Sequence, residues 1–325
     1  MRNPSPVADT AFERPSADNA AFAADLLSGL RSRPRSISPK YFYDAAGSAL
    51  FDRICELPEY YPTRTELSIL RERAGEMAQQ IGPRAQLVEF GAGSLHKVRL
   101  LLDALEAPAG FVPIDISGEH LAGAAARLRA DYPALAVQPL VADYTRALAL
   151  PPPLRGAGAR VGFFPGSTLG NFNPAEALAF LQGAARLLRG GGLLIGVDLV
   201  KAPALLHAAY NDAQGVTAQF NLNLLRRANA ELGTDFDLDG FAHAAFYNAP
   251  HQRIEMHLVS RRAQVVQLGH ERFEFAEGET LHTENSHKFT IDGLRTLAVR
   301  AGFGIGPVWT DPQHLFSVHW LPAAQ

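Results

Sequence analysis

The chain has 325 residues, 47% hydrophobic and 19% charged, with a formal net charge of −3; at roughly 100–200 residues per domain this allows about two domains and a sizeable core. The near-neutral balance argues against nucleic acid or a membrane as partner, because phosphate binding leaves a clustered basic footprint, and only Arg31-Ser-Arg-Pro-Arg35 and Arg71-Glu-Arg73 are locally basic. A lone cysteine, Cys55, excludes an intrachain disulfide, and no apolar run approaches the ~18–20 residues that cross a bilayer. Met1 to Ala20 carries Arg, Asp, Glu and three prolines where a signal peptide needs an apolar stretch. A soluble, cytoplasmic monomer is therefore expected.

In chain order, residues 1–18 lack periodicity and read as a flexible arm. Phe22, Leu26, Leu27 and Leu30 recur at helical spacing, and further helices are expected at Gly47–Leu57 and Thr65–Gln80 around the aromatic turn Pro58-Glu-Tyr-Tyr-Pro62. Short apolar strands then alternate with helical runs. The strands are Leu87–Phe90, Phe111–Ile114, Ala136–Val141, Val161–Phe164 and Leu193–Val197; the helices are Lys97–Leu105, Leu121–Leu128 and Ala177–Leu188. This alternation predicts an α/β fold, a Rossmann-like doubly wound parallel sheet with helices on both faces. The alternation lapses over 200–285, which holds a helical stretch at Ala208–Leu232 and strand candidates at Arg253–Ser260 and Gln264–Leu268. It resumes with a helix at Ile291–Ala301 and a strand at Leu315–Trp320. The expected organisation is a sheet domain over 81–199 that resumes at 286–325. A second, substrate-binding domain is expected from the helical part 19–80 and the insertion 200–285.

Glu89-Phe-Gly-Ala-Gly93 lies where the first strand meets the first helix of the sheet domain. Glycine there lets the backbone approach a ligand, and the helix N-terminus attracts a carboxylate or phosphate. The dinucleotide fingerprint G-x-G-x-x-G fails at its sixth position, His96. An acid before the first glycine fits an S-adenosylmethionine (SAM) turn better. Asp115 closes the second strand, where an acid can accept from both ribose hydroxyls; Asp143-Tyr144 closes the third, where an adenine would lie. Taken singly, a glycine pair is an ordinary tight turn and such an aspartate a cap; at three successive strand ends they favour an adenosyl cofactor. Lys97, one turn into the helix, is either a ligand of the methionine carboxylate or a solvated lysine. No metal is expected: His282 and His287 lack any metal-ligand spacing, and H-E-x-x-H is absent.

Longer strings carry a resemblance. They are Lys40-Tyr-Phe-Tyr-Asp44 with Gly47-Ser48, Leu57-Pro-Glu-Tyr-Tyr-Pro-Thr-Arg64 and Phe164-Pro-Gly-Ser-Thr-Leu-Gly-Asn171. Asp198-Leu-Val-Lys201, Gly215-Val-Thr-Ala-Gln-Phe-Asn221, Arg253-Ile-Glu-Met256 and Thr283-Glu-Asn-Ser-His-Lys-Phe289 add to them. From about Pro39 to Trp320 the chain resembles the histidine Nα-methyltransferases of ergothioneine biosynthesis, which use SAM to trimethylate the α-amine of histidine to hercynine. The resemblance implies that Gly91, Lys97, Asp115, Asp143 and Tyr144 hold SAM. It implies that one tyrosine of the Tyr60-Tyr61 pair, with Tyr60 favoured, joins Asn171 and Tyr210 on the amino acid's carboxylate and amine. Glu284 and Ser286 would bond the imidazole, with Asn285 between them and Met256 lining the pocket. Tyr43 would lie near the transferred methyl and, with Asn171, serve catalysis. Two departures stand out: the turn Gly91-Ala-Gly-Ser-Leu-His-Lys97 in place of Gly-Ser-Gly-Thr, and Asn285 where a small apolar residue is expected.

Spacing alone favours Glu284 as a surface salt-bridge partner of Lys288, four residues on, a reading that the resemblance reverses, and it leaves the two tyrosines equally a packed turn. Two rival functions follow: an N-methyltransferase of another amino acid, such as a tryptophan derivative, or a catalytically silent SAM- or amino-acid-binding module.

Overall fold

The computed structural model describes residues 17–324. Most of the expected arm lies outside them; its last two residues, Ala17 and Asp18, already belong to helix α1 (Ala17–Arg31). A two-residue strand β1 (Arg35–Ser36) follows, then α2 (Ala45–Glu56), whose start is capped by the Asp44 carboxylate accepting from Gly47 N at 2.6 Å. Helix α3 (Tyr61–Ile81) begins four residues before the expected Thr65. Pro62 sits in its first turn, where a missing N–H costs nothing, so the second tyrosine of the aromatic turn is helical.

The large sheet contains β2 (Gln86–Phe90), β3 (Gly110–Asp115), β4 (Ala136–Val137), β5 (Leu140–Val141), β6 (Arg160–Phe164), β7 (Gly192–Asp198), β13 (Val308–Thr310) and β14 (Phe316–Pro322). Its order is β13-β14-β7-β6-β2-β3-β4, with β5 also on β3; β14 pairs antiparallel with both β13 and β7, and the other pairings are parallel. The expected strand over Ala136–Val141 is two short pairings. Helices α4 (His96–Leu102), α5 (Gly118–Asp131), α6 (Pro174–Leu187) and α9 (Ile291–Ala301) accompany this sheet. Alternate strand residues feed two hydrophobic layers: Leu87, Phe111 and Leu194 into one, Val88, Val112 and Ile195 into the other. The chain proceeds outward from β2 to β4, then crosses back to place β6 on β2's other side. The crevice beyond the C-terminal ends of β2 and β6 is the point at which doubly wound sheets bind ligands.

The second sheet, in order β1-β12-β9-β8, uses β8 (Phe241–Asn248), β9 (Arg253–Ser260) and β12 (Thr280–His287), with a separate hairpin of β10 (Gln264–Leu268) and β11 (Glu271–Phe275). Strands β8, β11 and β12 were not expected: Phe-Ala-His-Ala-Ala-Phe-Tyr-Asn and Thr-Leu-His-Thr-Glu-Asn-Ser-His lack a clean apolar alternation. The expected helix Ala208–Leu232 divides into α7 (Pro203–Tyr210) and α8 (Val216–Leu232). The break is held by Asp212, whose carboxylate accepts from Val216 N and Thr217 N at 2.8 Å each. Ile254, Met256, Leu258 and Leu281 of this sheet share a core with Phe22, Phe42 and Phe220 of the helical segments.

Strand β12 carries one bulge. His282 pairs with His257 and Glu284 with Met256, so Thr283 has no register partner. The Thr283 hydroxyl bonds Met256 O and Asn221 Oδ1 instead. The extra residue puts Glu284 on the face of the sheet that carries Met256.

Candidate functional site

A cavity of about 1560 Å³ lies against the C-terminal ends of β2, β3 and β6 and extends to β12, α2 and the start of α3. Of the thirteen sequence-nominated residues, it brings together Tyr43, Tyr60, Gly91, Lys97, Asp115, Asp143, Tyr144, Asn171, Tyr210, Glu284, Asn285 and Ser286. Met256 does not line it. Expected on the pocket wall, this side chain is 2% exposed and packs in the core, because the inward face of β9 is filled by its apolar neighbours.

The wall at the parallel sheet is built mostly from backbone. Gly91 has φ +72°, and a Cβ there would stand 3.3 Å from the Tyr144 hydroxyl, so the turn can be this close only as glycine. Asp115 accepts from Gly93 N at 3.0 Å and Ser117 N at 2.9 Å, one bond per oxygen. Each oxygen keeps further acceptor capacity for a ligand. Asp143 accepts from the Thr145 amide and hydroxyl, and its other oxygen faces Lys40 at 3.7 Å and Arg146 at 3.6 Å. Tyr144 packs edge-on to Phe90, Phe164 and Phe180, and burial holds its phenol well above the usual range.

Lys97 is not a solvated lysine: its ammonium lines the cavity and bonds Glu66 of α3 at 2.6 Å. Glu66 is 1% exposed and also accepts from Gly166 N, joining α3, α4 and the loop after β6. Sequence reasoning missed Glu66, whose helical position marks no chemistry. Glu89 is buried with its Oε2 unpartnered among the described residues, and burial raises its pKa strongly. With Lys97 neutralised by Glu66, this wall presents Glu89, Asp115 and Asp143 to the cavity, an acceptor set suited to a cationic ligand bearing hydroxyls. A sulfonium nucleoside such as SAM fits that description.

The opposite wall is aromatic and polar. Tyr43 packs edge-on to Phe51 at 5.7 Å, Phe51 to Tyr60 at 6.3 Å and Tyr60 to Tyr210 at 6.1 Å. Burial raises the pKa values of Tyr43 and Tyr60, and neither hydroxyl has a partner among the described residues. Tyr61 points elsewhere, donating to Asp198 Oδ2 at 2.7 Å. Asn171 ends the one-turn helix Thr168–Asn171 after β6; Gly170 there lies so close to β12 that a Cβ would be 2.7 Å from His287 O.

Glu284 is the odd charge. It forms no ion pair or side-chain hydrogen bond among the described residues, and burial lifts its carboxyl to about 7, only partly opposed by Lys288. The surface bridge that spacing allows is not made, because Lys288 turns to Asp198 at 2.9 Å and bonds the Tyr210 and Ser286 hydroxyls. Lys201 also pairs with Asp198, and burial draws it down to about 8. Asn285 Oδ1 is buried and has no partner among the described residues.

Outside the cavity's centre, Glu255, His257 and His282 bring ligand-type atoms within 4.8 Å of one another. Glu255 is already bonded by Arg253, Asn248 and His257, and the two imidazoles stack at 4.6 Å with planes 13° apart. In-plane lone pairs of parallel rings do not converge on one point, so the trio reads as a stacked, charge-satisfied cluster. Among the described residues no helix is long and apolar enough to cross a membrane.

Comparison with known proteins agrees with this geometry. The SAM-dependent, histidine-specific methyltransferase family matches residues 22–323. A histidine N-alpha-methyltransferase of Mycolicibacterium smegmatis is 44% identical over 304 residues, covering 91% of this chain and 94% of that protein. One of Mycobacterium tuberculosis is 42% identical over 302 residues, covering 91% and 92%. Ergothioneine biosynthesis protein 1 of Neurospora crassa is 36% identical over 234 residues, 66% of this chain and 26% of that longer protein. The matched span takes in both walls of the cavity, and the chain belongs to the SAM-dependent, histidine-specific methyltransferase family.

Proposed function

We propose that the protein transfers three methyl groups in succession from SAM to the α-amine of L-histidine, giving hercynine. The observation that carries this reading is Glu284: a buried carboxylate without a cation, beside the Ser286 hydroxyl, in a cavity shared with the Gly91–Asp115 wall. An unpaired buried acid is costly unless a ligand supplies its donor, and a ring N–H does so. An indole ring has no second nitrogen for Ser286, which disfavours the tryptophan-type rival; two complete walls in one chain disfavour a silent binding module.

In this reading the parallel sheet (81–199 and 286–325) holds the cofactor, and 19–80 with 200–285 hold the amino acid, β12 running across the boundary. Gly91, Asp115, Asp143 and Tyr144 would bind SAM, with Glu89 and the Lys97–Glu66 pair setting the charge around its tail. SAM when bound supplies an electrophilic methyl on sulfur. The residues of this chain position and orient. Tyr43 and Tyr60, kept as neutral phenols by burial, can accept from the amine and steer its lone pair, and their rings favour the quaternary product by cation–π attraction. Asn171 holds the carboxylate end, Glu284 and Ser286 the ring, and Tyr210 lies between them with its hydroxyl donating to Ser286. Anchoring both ends lets the nitrogen turn between transfers, and a nitrogen without a lone pair ends the reaction.

A time course with excess SAM and a panel of amino acids, read by mass spectrometry, tests this. Histidine should end three methyls heavier, with mono- and dimethylhistidine accepted as substrates. A stable end point at one methyl, methylation on the ring, or preference for tryptophan would overturn it.

A further inference from the structure

Lys288 immediately follows β12, and its side chain is 0% exposed. Its ammonium has three protons, and three acceptors surround it: Asp198 Oδ2 at 2.9 Å, Tyr210 Oη at 3.1 Å and Ser286 Oγ at 2.8 Å. Each proton has one destination. The Tyr210 hydroxyl in turn donates to Ser286 Oγ at 2.7 Å. Ser286 Oγ thus accepts twice, which fills its lone pairs, and its own proton has no acceptor among the described residues. The charged and titratable groups around Lys288 are Asp198 on β7, Tyr210 on α7 and Glu284 on β12, with Tyr61 of α3 and Lys201 on the far side of Asp198.

We propose that Lys288 is a positioning residue that fixes Ser286 as a hydrogen-bond donor to the cavity, so that the pocket selects a ring offering one N–H and one nitrogen lone pair: the neutral imidazole. This rests on the reading that Glu284 and Ser286 face the substrate ring. Glu284 takes the ring N–H and Ser286 delivers its proton to the other nitrogen. A ring protonated at both nitrogens sets two protons against each other at Ser286. A ring with C–H at that place leaves the Ser286 proton unsatisfied, a loss that buried donors do not tolerate.

The test compares two ligands by calorimetry at pH 8 on the full chain saturated with S-adenosylhomocysteine. One is L-histidine; the other is a pyrrolylalanine that keeps the N–H toward Glu284 and places C–H toward Ser286. The wild type should favour histidine by at least about tenfold. Ser286→Ala should bring the ratio to within about twofold, and Lys288→Met should cut it at least threefold, because the freed hydroxyl can turn. A lysine that merely supports the fold would weaken both ligands alike and leave the ratio unchanged. A ratio that ignores Ser286→Ala overturns the assignment of the ring end; one that responds to Ser286→Ala but not to Lys288→Met overturns the role of Lys288 alone. If Lys288→Met loses S-adenosylhomocysteine binding through misfolding, Tyr210→Phe decides. It removes one of the two donors to Ser286 while leaving the Lys288–Asp198 pair in place, and should lower the same ratio; an unchanged ratio overturns the proposal.

Discussion

The two walls of the cavity are made by different means. At the parallel sheet the contacts come from turn backbone and from Asp115, whose oxygens are already fastened to Gly93 N and Ser117 N. At the opposite wall they come from side chains: Tyr43, Tyr60 and Glu284, unpartnered among the described residues, and a Ser286 held by Lys288 and Tyr210. A wall of backbone and strand-end acids suits a cofactor whose shape is shared by many enzymes. A wall of side chains can be altered without disturbing the other. Substitutions should therefore separate the two ligands.

The largest separation is expected from Glu284→Ala. Removing a charged acceptor from a buried polar pair should weaken histidine by ~2–4 kcal/mol, roughly 30-fold or more. S-adenosylhomocysteine affinity should stay within about twofold. Equal losses for both ligands in calorimetry would mean the walls are not independent. Asp115→Ala is the mirror experiment: S-adenosylhomocysteine should bind at least about tenfold more weakly, at ~1.5–3 kcal/mol for a charged hydrogen bond. Because Asp115 also fastens the turn, part of that loss is backbone loosening, and unchanged affinity in a folded variant would remove Asp115 from the cofactor site.

A third test uses pH without any ligand. Glu284 has its carboxyl raised to about 7 from an unperturbed 4.5, so between those values the folded chain binds the extra proton and the unfolded chain does not. Stability from this group is present below about 4.5 and declines as pH rises toward 7. Glu284→Gln removes the penalty. At pH 8 the variant should be more stable than wild type by roughly 1–3 kcal/mol, with the difference gone near pH 4.5. A Glu284→Gln melting temperature at or below wild type at pH 8 would show that the carboxylate is already satisfied. The smallest effect is expected from Asp212→Ala, which frees the first amides of α8 and should cost about 1 kcal/mol. Thermal melts should register this loss without a change in S-adenosylhomocysteine affinity.

The unequal legibility of the walls has the same origin. Leu87–Phe90, Phe111–Ile114 and Leu193–Val197 are buried on both faces, so they appear in sequence as short apolar runs, interrupted by one charge at Glu89, that end in glycine or aspartate. The cofactor wall could be read from those endings. Strand β12 shows no such run, because its inward side chains serve the cavity rather than the core. Phe241–Asn248 hides its strand behind alanines. The positions of Glu284 and Ser286 came through the family strings and not through any period. The partners of Lys97 and Lys288 were illegible for another reason: Glu66 and Asp198 lie 31 and 90 positions away, and an ion pair closed by tertiary packing leaves no local trace. Tyr60 was separated from Tyr61 only by the start of α3, which turns one ring into the cavity and the other to Asp198.

The bulge at Thr283 acts on β12 much as a frameshift acts on a message. Side chains along a strand alternate between two faces, so the single unpaired residue decides which set is displayed to the ligand. With Thr283 present, the cavity side of the sheet receives an acid and a hydroxyl, at 284 and 286. A regular ladder that paired Thr283 with Met256, the pairing at His282 kept, would turn Glu284 and Ser286 away and bring the amide of Asn285 and the imidazole of His287 into that frame. Such a chain would retain its composition, its core and its methyl-donor wall, and would have exchanged an acceptor–donor pair for a different alphabet. At this one position the spelling of the pocket depends on counting to a single residue.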